Sequence, residues 1–440
     1  MAWFVQVGLL CLMASLVFAQ NEKETDWFLC AHGSTRSLAR PNSDEWTARL
    51  PYGDFHIPYW EVPFNEGPNL AGGVNQRASD GHIHLPLLGP DKYNGSPDWP
   101  SGGSLKRWSP AMVWEIDGNT GKTVREYNLS DYAACFNSVL RYTPDGYPVV
   151  AGYSHGGSRI LVLDKNSSSV ANSYSPNDVE PQLLAVSQTE PPQLIWADIS
   201  ADAAANVNGH MLETNTQIST SALSTIICGA DGRTIYNNGF FNHDTGIFRF
   251  SLPLKSSSKE DLFISGCLTK PWVMASDSQG RIFALCQSQN HIRAWDRTGR
   301  SLWSASGTSN FLTISDDETT LLVGNSNNWE AIDTTSGKVM WQKSASEAFG
   351  DGVHCTSASQ PWAPRHPIPF PDGQFAFLCS KDDVWKVFRL SAKTGEGNTM
   401  AVSFDFNPEM LTADSAMNVY AYGTVNGVIT VQKKSFSGHE

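Results

Sequence analysis

The feature that most limits how this chain can fold is a recurring unit of short apolar runs joined by polar turns. Around Ala331 it is clearest. An acidic turn at Asp316-Asp317 leads into Leu321-Leu-Val-Gly-Asn-Ser, and then Ala331-Ile-Asp333-Thr-Thr-Ser336-Gly337-Lys338-Val-Met-Trp341 reads as strand, tight turn, strand. Apolar alternation broken by Asp, Ser and Gly is strand and turn chemistry. From about residue 106 onward no 12-residue window carries a helical period.

One turn of the unit can be followed along the chain: Asp145-Gly146, Asp231-Gly232, Gln279-Gly280, Asp317-Glu318, Asp372-Gly373 and Met417-Asn418. The first interval is about twice the others, which implies a further unit near Pro191 to Asp198. All-β units repeating at about 45 residues predict a β-propeller. Each blade would hold four antiparallel strands, A to D, with the recurring turn between A and B. Around Gly280 the expected strands run Trp272 to Ser276, Arg281 to Gln287, Ile292 to Asp296 and Ser301 to Ser304. Seven blades are expected. The pair Met112 to Asp117 and Lys122 to Leu129 either closes the last blade or forms an eighth, and closure would remove exposed sheet edges.

The expected organisation has three parts. Residues 1–19 read as a secretory signal peptide: they carry no Asp, Glu, Lys or Arg, and an apolar run ends at Val17-Phe18-Ala19. Residues 20–105 read as an N-terminal extension wrapped on the main domain through Trp27, Trp46, Trp60 and Trp99. The propeller is expected over 106–440. A soluble, secreted, extracellular protein follows, and a net charge of −13 argues against nucleic acid as a partner. No later apolar run is long enough for a membrane span.

Cysteine usage fits an oxidising compartment. Beyond Cys11 seven cysteines remain, an odd count. If A and B are antiparallel, Cys267 lies beside Cys286 and Cys355 beside Cys379, giving two expected disulfides; the alternative is that Cys286 and Cys379 are simply buried strand residues. Asn94, Asn128 and Asn166 head N-glycosylation triplets, with Pro97 following the first.

Ala331-x-Asp333-x-x-Ser336-Gly337-Lys338-x-x-Trp341 resembles the blade motif of pyrroloquinoline-quinone-like (quinoprotein-type) propellers, Ala-x-Asp-x-x-Thr-Gly-x-x-x-Trp. Ala294-x-Asp296 with Gly299 and Trp303 is a copy one residue shorter. Asp117 with Thr120-Gly121-Lys122 lacks the Trp, and Thr394-Gly395 lacks both Asp and Trp. The resemblance covers parts of residues 108–435 and implies the fold, with Trp wedged between blades. It does not extend to the quinone, because no two cysteines are adjacent and no calcium ligands can be located.

In a propeller the B–C and D–A connections share one end, around the channel mouth. His155, His210, His243 and His291 fall in four consecutive expected B–C loops, and His354 in a D–A segment. Imidazoles converging there would suit a divalent metal such as Zn²⁺, Mn²⁺ or Fe²⁺, with Ca²⁺ at acidic turns the other metal considered. The candidates for proton transfer are His243, His155 and Tyr153, and for a substrate carboxylate Arg159 and Arg293. The expected function is a lyase-type or other non-redox reaction on a carbohydrate or small polar substrate. The alternative is a non-catalytic extracellular propeller that binds a glycan or protein, since polar turns accept histidine readily. His82-x-His84, which would share one face of a strand, is a second possible ligand pair. Trp60, Trp99, Trp329 and Trp362 would stack on sugar rings or pack between blades.

Overall fold

The computed structural model describes residues 34–35, 43–51, 75–76, 80–88, 111–129, 131–132, 135–136, 140–154, 157–175, 180–186, 192–199, 206–211, 216–221, 225–228, 234–241, 244–251, 261–267, 274–286, 290–307, 309–325, 327–355, 367–408, 410–414 and 416–436. These residues form eight sheets, antiparallel except for one short parallel pairing. The one α-helix among them spans Ala345–Phe349.

In seven of the eight sheets the strands follow one another in the chain. The fifth sheet, for example, takes Met274–Ser276, Ile282–Cys286, His291–Trp295 and Ser301–Ser306 in that order. These match the strands expected around Gly280 to within two residues. The sixth runs Phe311–Ile314, Thr320–Gly324, Asn328–Asp333 and Val339–Ser344. The first sheet is built from Asn75–Gln76, Ile83–Leu88, Ala111–Ile116 and Thr123–Asn128. The pair that sequence left open between two roles thus belongs to a sheet of its own. That sheet also draws two strands from the segment read as an extension.

Turn chemistry sets the strand ends. Between A and B of the fifth sheet, Asp277 Oδ1 accepts from the backbone N–H groups of Gln279 and Arg281, and Gly280 takes φ +75°. Asp414 does the same for Ala416 and Asn418, with Met417 at φ +61°. The left-handed residue is therefore Met417, one position before the place the sequence register gave it. Asp80-Gly81, with Gly81 at φ +73° and Asp80 Oδ1 capping His82 N–H, is the corresponding turn of the first sheet.

Each sheet packs against the sheet before it and the sheet after it, through apolar clusters where the side chains are described. Val113, Tyr127 and Leu129 of the first sheet join Leu140, Val150 and Leu161 of the second. Val149, Ala151 and Ile160, on the other face of the second, join Val186 and Leu194 of the third. The strands Glu180–Val186 and Thr225–Cys228 bring the third and fourth together. Phe263 of the fourth abuts Gly299 of the fifth. The fifth and sixth share a cluster around Phe283, Ile292, Leu312 and Leu321. The sixth and seventh share one around Trp329, Ala331, Phe375 and Phe388. Leu378 and Val387 of the seventh meet Leu411 and Val419 of the eighth. Finally Tyr420, Tyr422 and Val431 of the eighth pack on Ile83, Leu85 and Trp114 of the first.

The eighth sheet is completed from the N-terminal region. Trp46–Arg49 pairs antiparallel with Val428–Ser435 as its outer strand, and Ser34–Thr35 pairs parallel with Met410–Asp414 on its opposite edge.

Aromatic residues on D strands fasten one sheet to the next. Trp303 donates its indole N–H to Thr334 O, and its ring occupies the space where Gly337 would carry a side chain. Trp341 repeats this on Ala392 O and Gly395, and Trp46 on Gly118 O and Gly121. The wedge role expected for the motif Trp is therefore present in the structure. Trp329 is buried in the core shared by the sixth and seventh sheets, away from any sugar-stacking position. Trp60, Trp99 and Trp362 lie outside the described residues.

Candidate functional site

Two of the expected mouth residues lie together on the strand His291–Trp295. Ile292 and Ala294 point into the core shared with the sixth sheet. His291 and Arg293, one residue to either side of Ile292, face the opposite way, toward the fourth sheet. Both are half-buried. Among the described residues neither His291 Nδ1 nor Arg293 Nε has a hydrogen-bond partner, although both atoms are shielded from solvent.

A disulfide fixes this end of the sheet. His291 is the register partner of Cys286, which is bonded to Cys267 in the segment entering the fifth sheet. The seventh sheet repeats the arrangement. His354 is exposed beside Cys355, which is bonded to its register partner Cys379. Both expected disulfides are present. Between them, Asn327 of the sixth sheet accepts the Cys355 backbone N–H through Oδ1 at 3.2 Å, and Asn325 Oδ1 accepts from the N–H groups of Asn327 and Asn328. The same edge carries the helix Ala345–Phe349, whose Ser344–Glu347 capping box closes its first turn. Phe349 anchors it against Trp329, Phe377 and Phe388.

The other expected site residues fall differently. His155 and His243 lie outside the described residues. Tyr153 is in the strand Pro148–Ser154, opposite Ser158. Arg159, on the neighbouring strand, is half-buried and donates to Ser175 Oγ at 2.6 Å. His210 is corrected by the structure. It lies in the third strand of its sheet, paired with Leu194 and Gln217, near the C–D end and not in a B–C loop. Asn208-Gly-His reads locally as a turn, but ladder pairing on both sides holds it extended. Among the described residues no three His, Cys, Asp or Glu side chains are grouped as a metal ion would need.

A polar cluster that the spacing only hinted at sits in the seam between the first and second sheets. His82 and His84 share a face of Ile83–Leu88, as the alternation implied, and Glu115 of the next strand lies directly opposite His84. Glu115 is fully buried. Its Oε1 meets His82 Nδ1 at 2.7 Å and lies 3.5 Å from His84 Nε2. Its Oε2 receives Arg125 Nε at 2.7 Å and the Tyr127 hydroxyl at 3.2 Å. Tyr142 of the second sheet reaches His84 Nδ1 at 2.9 Å. Glu115 and Arg125 are register partners, at the place that Ala331 and Trp341 occupy in the sixth sheet. Here an ion pair replaces the small-residue and tryptophan pair, and the next sheet's turn at Asp164 has no glycine beneath it. The available signal was His-x-His on an alternating strand; its partner Glu115 is far off in sequence.

Electrostatics on the turn side are set by short hydrogen bonds. Asp296 is pushed down to about 2 chiefly by the Thr298 hydroxyl, helped by the backbone N–H groups of Thr298 and Arg300 and the Arg300 charge. Asp333 is lowered in the same way by Ser336. Lys433, buried between the eighth and first sheets, is lowered by desolvation against the opposing pull of Asp414, Asp44 and Asp117.

No helix among the described residues is long and apolar enough to cross a membrane. No protein-family model and no curated protein matches this chain. A solved structure described as the crystal structure of the eukaryotic initiation factor is similar over 79% of this chain and 91% of that one, at 11% identity and a TM-score of 0.42, a likeness too slight to carry an argument.

Proposed function

We propose that the chain is a secreted, closed propeller of eight four-stranded blades, related to the quinoprotein-type repeat proteins. Its B–C end acts on a small polar or carbohydrate substrate by lyase-type chemistry. The ring reading is supported by the unbroken circuit of sheet contacts and by the close approach of first strands such as Met274–Ser276 and Phe311–Ile314. An outer strand borrowed from the N-terminal region supports it too. Secretion is supported by the two disulfides.

The observation that carries the site reading is that His291 and His354 each lie at the B–C and D–A end of a sheet, beside a disulfide. Stapled backbone holds an imidazole in place without needing a ligand to order it. In such a reaction a base removes the proton on the carbon next to a carboxylate. The bond to the leaving oxygen breaks as that oxygen takes a proton from a general acid or water, a carbon–carbon double bond forms, and a cation balances the carboxylate charge.

The test is to incubate the purified secreted protein with acidic polysaccharides and follow the near-ultraviolet absorbance of the unsaturated product. Turnover that falls at least a hundredfold in His291→Ala or His354→Ala is expected, in the usual range for general acid–base groups of roughly 10²–10⁴. Turnover unaffected by both substitutions would overturn the site assignment. Saturable glycan binding without product would favour the second reading, a non-catalytic binding propeller. The rigid bracing of this edge through Asn327 and Cys355 speaks for that reading.

A further inference from the structure

We infer that the seam between the fourth and fifth sheets, at the end marked by His291, binds a carboxylate group, with the Arg293 guanidinium as its counter-charge and His291 Nδ1 as its second contact. This rests on reading that end as the working face and names what it recognises.

Arg293 is half-buried, and its Nε is shielded from water without a partner among the described residues. Removing a guanidinium N–H from water without an acceptor is costly. Two other arginines of the sheet show the usual remedy. Arg281 Nε meets Asp277 at 2.5 Å, and Arg300 Nε meets Asp296 at 3.0 Å. With 44 Asp and Glu against 31 Lys and Arg, the chain has acidic groups in excess. Yet among the described residues none is paired with Arg293. A shielded guanidinium N–H with no acceptor among the described residues is suited to an acceptor supplied by a ligand.

Geometry narrows the acceptor. His291 and Arg293 are two residues apart on one strand face, so their side chains leave the backbone side by side. Arginine presents parallel N–H donors that match a planar carboxylate, and an adjacent imidazole N–H adds another. The seam is bounded on its far side by the fourth sheet, whose Arg249 donates to Arg297 O at 2.9 Å and whose Phe263 lies on Gly299. Both contacts lie at the C–D turn, the opposite end of the strand from His291, so the seam is closed there and the site would be entered from the B–C end. The Cys267–Cys286 bridge holds the strand opposite His291, so little ordering is needed on binding.

The full secreted chain, labelled with ¹⁵N-arginine, tests this with glucuronate, glucose and inorganic phosphate at one ionic strength. The Arg293 Nε–H resonance is assigned by its loss in Arg293→Lys. It is expected to shift saturably with glucuronate and not with glucose. His291→Gln should weaken glucuronate binding about tenfold, the loss of one charge-assisted hydrogen bond. Absence of a shift, or a shift with phosphate alone, would overturn the assignment, provided that thermal melts show both variants folded. Failure of the catalytic reading is separable: glucuronate binding without turnover of any polyuronate defeats the lyase and leaves the carboxylate site. Turnover with an unchanged KM in Arg293→Lys, and no resonance shift, defeats the carboxylate site and leaves the lyase.

Discussion

The indole of Trp46 lies directly on Gly121: a Cβ added to that glycine would sit 2.6 Å from Trp46 Cδ2. Trp46 comes from the outer strand of the last sheet and Gly121 from a turn of the first, so this contact joins the two ends of the sheet series. It repeats Trp303 on Gly337 and Trp341 on Gly395 within the series. The indole N–H bond to Gly118 O, at 3.0 Å, fixes the ring's orientation.

Gly121→Ala is therefore expected to destabilise the protein by about 2–4 kcal/mol, from a left-handed backbone at φ +68° and an overfilled contact. Gly427→Ala is the control, because it has φ +79° with nothing within 4 Å of the added carbon. It should cost only the backbone part, about 1–2 kcal/mol. Urea midpoints of the two variants check the difference; equal losses would mean that the Trp46 contact contributes nothing.

Glu115→Ala should cost about 3–5 kcal/mol, because it removes the buried carboxylate that pairs with both Arg125 and His82. Glu115→Gln keeps an acceptor for the Tyr127 hydroxyl and should lose less. Chemical denaturation ranks the two, and an equal loss would argue that packing alone matters at this position.

Cys355→Ser paired with Cys379→Ser should lower stability by about 3 kcal/mol, as expected for opening a loop of this length. The bonded residues are separated by 24 in sequence. Peptide mapping without reduction should recover the Cys267–Cys286 and Cys355–Cys379 pairs. Free thiols at these positions would contradict the structure.

The C–D turn carboxylates predict an acid limb. The folded value of Asp296 is about 2, below its ordinary 3.8, so its contribution to stability is present above 3.8 and is lost as pH falls toward 2. Asp333 is shifted in the same direction. Asp296→Asn should flatten the fall in melting temperature between about pH 4 and pH 2. An unchanged slope would assign the acid sensitivity elsewhere.

Asn166 is exposed in the turn that follows Gly157–Leu163, with Ser167 and Ser168 exposed beside it. Tyr127 anchors that turn through Asp164 O, leaving its tip uncovered. In protein secreted from a eukaryotic host, Asn166 is expected to carry an N-glycan, removed by Asn166→Gln and by Ser168→Ala. An unmodified Asn166 peptide would refute this. Asn128 is also exposed, though the third residue of its triplet lies outside the described residues, as does Asn94.

Much of this architecture was legible because its causes are local. Strand alternation and Asx-type turns act over a handful of residues, so the fifth sheet could be read almost residue by residue. The cysteine pairs followed from antiparallel register. Asp80-Gly81 is hard to recognise from sequence, since the strand before it is only two residues long and the surrounding Pro, Gly and Asn hide any period. His210 was misplaced for a similar reason: its turn-like neighbours are held extended by pairing on both sides.

The amino-acid sequence by itself determined the all-β class, the four-strand unit, the bridging cysteines and the tryptophan-bearing turn. Each depends on side chains near one another along the chain. Only the tertiary structure decided that Trp46 would complete the sheet formed by Val428–Ser435, that Glu115 would collect two histidines, an arginine and a tyrosine, and that Arg293 Nε would be buried with no hydrogen-bond partner among the described residues. Those outcomes depend on which faces meet when distant segments pack. Burial then makes each missing or supplied partner energetically decisive.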